Sequence, residues 1–222
     1  MKKFELTTEF ITNAFGKKLF RIKALVEFGD VKAGELGGYV EKEENVSQDG
    51  NAWVSGDARV YGNAWVHGNA KVYDDAWVSG DALVYGDALV FGDARVYGDA
   101  LVFGDARVSG DALVFGDARV SGDARVSGNA WVSGNARVSG DALVFGDADY
   151  ALVQGFGTEF RCTTFYRGKD KKIMVNCGCF HGNLEAFRKQ AKETRSGKIA
   201  KEYLMIADLM EYHFASEDSS DE

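Results

Sequence analysis

From residue 50 to residue 145 apolar and polar positions alternate in short bursts: Ala-x-Val-x, then Gly-Asp or Gly-Asn, then the same again. Sixteen such hexads follow one another without a gap, from Gly50-Asn51-Ala52-Trp53-Val54-Ser55 to Gly140-Asp141-Ala142-Leu143-Val144-Phe145. One departs from the rule, with Asp74 in the Gly slot. A period of two places Ala and Val on one face of a strand and both x positions on the other. Gly-Asx then turns the corner, because glycine tolerates positive φ and the Asx side chain can bond a backbone N–H two residues on. A six-residue period is too short for a helix pair and lacks the nine-residue calcium signature, which leaves a β-solenoid.

Val54-Ser55-Gly56-Asp57-Ala58-Arg59 and its fifteen relatives resemble the hexapeptide repeat of left-handed parallel β-helix proteins, which wind three hexads into each triangular coil. The resemblance implies a mainly β chain whose left-handed β-helix spans residues 40–151. Sixteen hexads make a little over five coils, a prism on the order of 25 Å long at a strand spacing of roughly 4.8 Å. Stacked Val and Ala columns would bury a slender core that no coil could bury alone.

The flanks read differently. In residues 1–39, Phe4-Glu5-Leu6 and Leu19-Phe20-Arg21-Ile22-Lys23 are alternating strands around Asn13-Ala14-Phe15-Gly16, an N-terminal β cap. Val40 and Val46 are already in repeat spacing, but Val46 to Val54 is two residues too long, so Gln48-Asp49 reads as an insertion in the first coil. Residues 152–214 predict a C-terminal α+β domain. Strands Glu159 to Tyr166 and Lys172 to Cys177 flank Arg167-Gly168-Lys169-Asp170 as a hairpin. A helix capped by Asn183 runs towards Arg195 and stops at Ser196-Gly197, and a second covers about Ile199 to Phe214. Residues 215–222 are small and acidic and are expected to be disordered. Gly34-Glu35-Leu36-Gly37-Gly38-Tyr39-Val40-Glu41, Phe165-Tyr166-Arg167 and Cys177-Gly178-Cys179-Phe180 resemble stretches of hexapeptide-repeat proteins, themselves without an assigned role, carried by phages and prophages of Gram-positive bacteria. That resemblance extends over nearly the whole chain and implies an accessory factor working in a host cytoplasm.

Charge changes the picture mainly by where it sits. Of the net −8, residues 50–151 hold −7, with fourteen Asp, no Glu, six Arg and one Lys. An acidic rod repels nucleic acid, which argues against DNA or RNA as a partner and leaves mimicry of nucleic acid as a minor alternative. No apolar run of secretory or transmembrane length is seen, so a cytoplasmic chain without a membrane partner is expected. Three cysteines outside the repeats do not suggest a disulfide framework.

In a nearly degenerate repeat, chemistry should show as a departure. His67 stands where Ser, Tyr or Phe is usual, and hexapeptide acyltransferases use a histidine, but the loops that shape their acceptor pockets are missing here. An acyltransferase-like enzyme is therefore the alternative, and the main expectation is a non-enzymatic scaffold or binding protein without cofactor that engages a host protein or sequesters a ligand. Corner Asp residues stack three columns deep and invite a divalent cation, though a turn-capping role explains them and Asn replaces several. Cys177, Cys179 and His181, with Cys162 on a neighbouring strand, are candidate zinc ligands that lack the CxxC spacing. The strongest signal is the outer surface, where seventeen of thirty-two outward positions are large and apolar or aromatic. Grouping hexads by threes puts Trp65, Leu83 and Leu101, with His67, Tyr85 and Phe103, on one wall; Leu89, Phe91, Leu113 and Phe115 complete the candidate interface. Such a patch is more than a monomer usually exposes. It predicts a homo-oligomer, dimer or trimer, or a host-protein partner, unless the C-terminal helices fold back over it.

Overall fold

The computed structural model describes residues 2–157 and 159–215; the acidic tail expected to be disordered lies, from residue 216 on, outside the described residues. Strands β1 (Phe4–Thr12), β2 (Lys18–Ala24) and β3 (Leu36–Val40) open the chain. Sixteen two-residue strands, β4 (Trp53–Val54) to β19 (Leu143–Val144), follow one per hexad. Each from β4 to β16 pairs in parallel with the strand three places on, Trp53 with Lys71 and Lys71 with Leu89, an offset of eighteen residues. The repeats therefore form a parallel β-solenoid of three walls. Wall one continues from β3 through β5, β8, β11, β14 and β17; wall two runs from β4 to β19; wall three comprises β6, β9, β12, β15 and β18.

Every repeat Ala and Val is buried, as period two requires. The coil begins one rung earlier than the hexads do, because Val40 pairs with Val60 and Val46 with Val66. That offset is twenty residues, so Gln48-Asp49 is indeed an insertion, and it has work of its own: Gln48 Oε1 accepts from the N–H of Lys3 (2.8 Å) and of Phe4 (3.3 Å).

The corners are closed by backbone, for example Ala58 N–H to Ser55 O at 3.3 Å and Ala130 N–H to Ser127 O at 3.3 Å. Three of the Asx side chains expected to cap their own turns reach along the columns instead. Asn51 donates to Asn69 (3.0 Å), Asn69 to Asp87 (3.1 Å) and Asn63 to Asp81 (3.0 Å). An amide can donate to the rung above where a carboxylate cannot, so Asn at the foot of a column relieves the repulsion that Asp on Asp would create.

Both open ends of the solenoid are closed by side chains as well as strands. At the N-terminal end the downward carbonyls of the first hexads are met by Lys3 Nζ, which donates to Ala52 O (2.8 Å) and Gly50 O (3.3 Å), and by Asn45 Nδ2, which donates to Ala64 O (2.8 Å) and Gly62 O (3.1 Å). The loop at residues 25–35 lies over the foot of wall two, with Phe28 edge-on to Trp53 at 5.4 Å and Asp30 paired with Lys71 at 2.6 Å.

At the other end, β20 (Tyr150–Phe156), β21 (Arg161–Arg167), β22 (Ile173–Cys177) and β23 (Phe180–Asn183) form one antiparallel sheet. The hairpin read from sequence is its inner pair. Its outer strands escape a sequence reading because β20 starts directly after the last hexad and β23 is four residues with a glycine among them. One face of this sheet sits on the solenoid end, where Tyr166 joins the repeat core with Leu152 and Met174 packed beside it. The other carries Phe165 and Val175 against α1 (Leu184–Thr194) and α2 (Gly197–His213). Asn183 caps α1 as expected, accepting from Ala186 N–H at 2.9 Å. The helices pack on the end sheet, so the repeat walls are not covered by them. No described helix is long and apolar enough to cross a membrane.

Candidate functional site

Wall three carries the apolar surface that the repeat spacing implied. Trp65, Leu83 and Leu101 are register partners on three successive rungs. Beside them the x positions after Val, joined by Trp65 from the first column, build a stack of rings: Trp65 on His67 at 4.0 Å, His67 on Tyr85 at 4.9 Å and Tyr85 on Phe103 at 5.0 Å, the last pair within 2° of parallel. The rung spacing of a sheet imposes this near-parallel stacking on any aromatic column. Trp65 keeps 41 % of its surface exposed, and Leu83, Tyr85, Leu101 and Phe103 are half-buried by one another. Above Phe103 the wall turns polar, with Arg119, Ser121, Arg137 and Ser139, and there the end sheet approaches.

The other four candidates lie elsewhere. Leu89 and Phe91 are on wall two, where Tyr73 stacks on Phe91 at 4.9 Å. Leu113 and Phe115 are on wall one, where Tyr97 stacks on Phe115 at 5.0 Å. Trp53, outward by its place in the hexad, is buried at 3 % exposure because Phe4 and Phe28 close over it. Wall one is divided by charge: the Trp77 ring is flanked by the guanidinium groups of Arg59 and Arg95, each 4.9 Å from its centroid. The apolar stretch on wall three spans three rungs, while shorter ones lie on the other walls, Tyr73 with Phe91 on wall two and Tyr97 with Phe115 beside Leu113 and Trp131 on wall one.

His67 belongs to the ring stack. Burial holds its pKa below the usual histidine range, so the imidazole is neutral near pH 7, and among the described residues its side chain makes no hydrogen bond. A general base needs an orienting partner and a substrate pocket beside it; the neighbours here are an indole and a phenol ring.

The four candidate zinc ligands are not brought together. Thr163, not Cys162, is the register partner of Cys177, so strand alternation sends Cys162 to the opposite face of the sheet from Cys177. Cys162 Sγ points at the solenoid, 3.5 Å from Asn135 O, while Cys177 packs towards Phe187 and Tyr203 under the helices. His181 Nδ1 is engaged by Asn176 Oδ1 at 2.6 Å on the solenoid side, and Cys179 is exposed in the turn between β22 and β23. Among the described residues no group of three or more His, Cys, Asp or Glu side chains is placed to hold a metal ion, the corner Asp columns included.

The end sheet and wall three border an open groove of about 480 Å³ lined by Arg119, Arg137 and Arg161, the last at the sheet edge where it also lines the helix side. Arg119 and Arg137 are eighteen residues apart and so share a column, a signal present in the repeat; Arg161 arrives from β21 and carries no such mark.

A family model described as the YdcK beta solenoid repeat matches residues 52–68, 94–109, 106–122 and 118–134. All four matches lie inside the stacked rungs and agree with a repeat β-helix. No curated protein matches the chain.

Proposed function

We propose that this chain is a non-enzymatic scaffold that associates with itself through wall three, as a dimer or trimer. The observation that carries the reading is the uncovered stack of Trp65, His67, Tyr85 and Phe103 alongside Leu83 and Leu101. A flat wall of rings already held by its neighbours loses little conformational entropy on docking. It also presents aromatic residues of the kind that dominate interface energetics. The resemblance of both flanks to phage-borne hexapeptide-repeat proteins supports an accessory factor in a host cytoplasm, with a host protein as the further partner. The resemblance of the repeats themselves to the hexapeptides of left-handed parallel β-helix proteins supports a left-handed sense of winding.

Replacing Leu101 with Arg and Phe103 with Ser reproduces the hexad already present at Arg119 and Ser121, so the coil has a precedent for the change. A symmetric dimer would lose two copies of each side chain. At about 1.5 kcal/mol for each, the lower end for a buried apolar side chain, the four together weaken association by about ten-thousandfold. Light scattering at low micromolar concentration should show an oligomer for the wild type and a monomer for the double variant. A monomeric wild type, or a variant of unchanged mass, would remove the proposal. Acetyl-CoA turnover lost in His67→Ala would replace it with the acyltransferase reading.

A further inference from the structure

The groove between the end sheet and wall three is a place where positive charge has been concentrated on an otherwise acidic molecule. Arg119 and Arg137 stand directly above one another on neighbouring rungs, an arrangement in which like charges repel. Arg161 is held beside them by the attachment of β21 to the same rung: Thr164 Oγ1 accepts from Arg137 N–H at 2.9 Å, and Cys162 Sγ donates to Asn135 O at 3.5 Å. Two of the guanidinium groups converge on Gly178. Arg137 Nη1 donates to its carbonyl at 3.4 Å, and Arg161 Nη1 lies 2.7 Å from where a side chain on Gly178 would begin. Among the described residues none of the three arginines forms an ion pair. The single carboxylate lining the groove, Asp117, leaves two positive charges in excess.

We propose that this groove binds a phosphate dianion, free or carried as the monoester of a small molecule. Guanidinium forks match the paired oxygens of phosphate, and three of them from two directions suit a tetrahedral dianion better than a planar carboxylate. The bound dianion cancels the excess charge and relieves the repulsion between the stacked pair. At about 480 Å³ the groove exceeds what the ion alone fills, and Asn135 and Gln154 on its wall offer amide groups to the hydroxyls of an attached sugar.

The repeat supplies its own control. Arg107 and Arg125 form the same in-register pair on wall two, without a third arginine and away from the groove. Arg119→Leu/Arg137→Leu and Arg107→Leu/Arg125→Leu remove equal charge, and leucine is native at the equivalent positions 83, 101 and 113. Isothermal titration at low ionic strength with inorganic phosphate, then with a hexose phosphate, should show saturable binding to the wild type. That binding should weaken at least tenfold, as an order of magnitude, in the first double variant and in Arg161→Gln, and be unchanged in the second. Tighter binding of the hexose phosphate assigns the groove to a monoester, and equal binding assigns it to the free ion. No binding of either probe by the wild type, or equal loss in both double variants, would overturn the proposal.

Discussion

Lys3 shows at the scale of one residue what closing a solenoid demands. It is 4 % exposed, and its ammonium lies against two carbonyls and 4.7 Å from the centroid of the Phe28 ring. Burial lowers its pKa from 10.5 to about 8, with the charge of Asp49 opposing the shift. Between those two values the unfolded chain holds a proton that the folded chain has released, so the contribution of Lys3 to stability rises with pH across that window. The neutral amine still donates to both carbonyls. Urea unfolding of wild type and Lys3→Met at pH 7.5 and pH 10 should show the difference moving in favour of the wild type at the higher pH; a difference independent of pH would contradict this account. The corners set a second condition. Gly98 has φ +73, and a side chain there would begin 3.0 Å from Gly116 N, whereas Asp74 fills the same slot at φ 60 with its carboxylate accepting from Gly92 N–H at 3.2 Å. Gly98→Ala should cost about 1–2 kcal/mol and Gly98→Asp less, because Asp visits the left-handed region more readily; chemical denaturation of the two variants measures the order.

Among the elements, the repeat strands were fully legible and their closures were not. Alternation and the Gly-Asx corner identify every strand from β4 to β19, and the irregular spacing of Val46 and Val54 locates the insertion. Nothing local, however, marks Asn45, Asn176 or Lys3 as the groups that satisfy the solenoid ends, since each acts on a residue distant in sequence. The same applies to the sites. Wall three was legible because eighteen-residue stacking follows from the repeat, whereas the groove needed Arg161, whose placement is decided by the docking of a different sheet. The zinc candidates failed for a related reason: spacing along one strand says nothing of the one-residue register that sends Cys162 and Cys177 to opposite faces. Asn176 is the most heavily used closure, donating to Arg137 O (2.8 Å), Ser139 Oγ (3.0 Å) and Tyr166 OH (3.2 Å) while bonded to His181. Asn176→Ala strands a buried acceptor and should destabilise the protein by about 1–3 kcal/mol in denaturant unfolding, where a loss within error would show that water replaces it.

For the whole molecule the end structures decide whether the rod stays discrete. The upper edge of the last rung is occupied by Thr164, Asn176 and the Ala142–Gly168 bridge. Ending the chain after residue 149 exposes unpaired N–H and C=O groups that match the lower edge of any solenoid whose cap can be displaced. Electron microscopy of that truncated chain should show end-to-end assemblies or elongated aggregates; uniform short rods would mean that the lower cap alone prevents stacking. The eighteen-residue offset has one further consequence, for how the two ends are set relative to each other. The repeat behaves as an indexed shaft. Adding one coil moves the end sheet outward by about 4.8 Å and leaves its compass bearing unchanged. Adding one hexad swings it by about a third of a revolution onto another wall, carrying Arg161 away from the column of Arg119 and Arg137. Reach and bearing are therefore adjustable independently of each other, and a groove assembled across the joint survives changes in the first but not in the second.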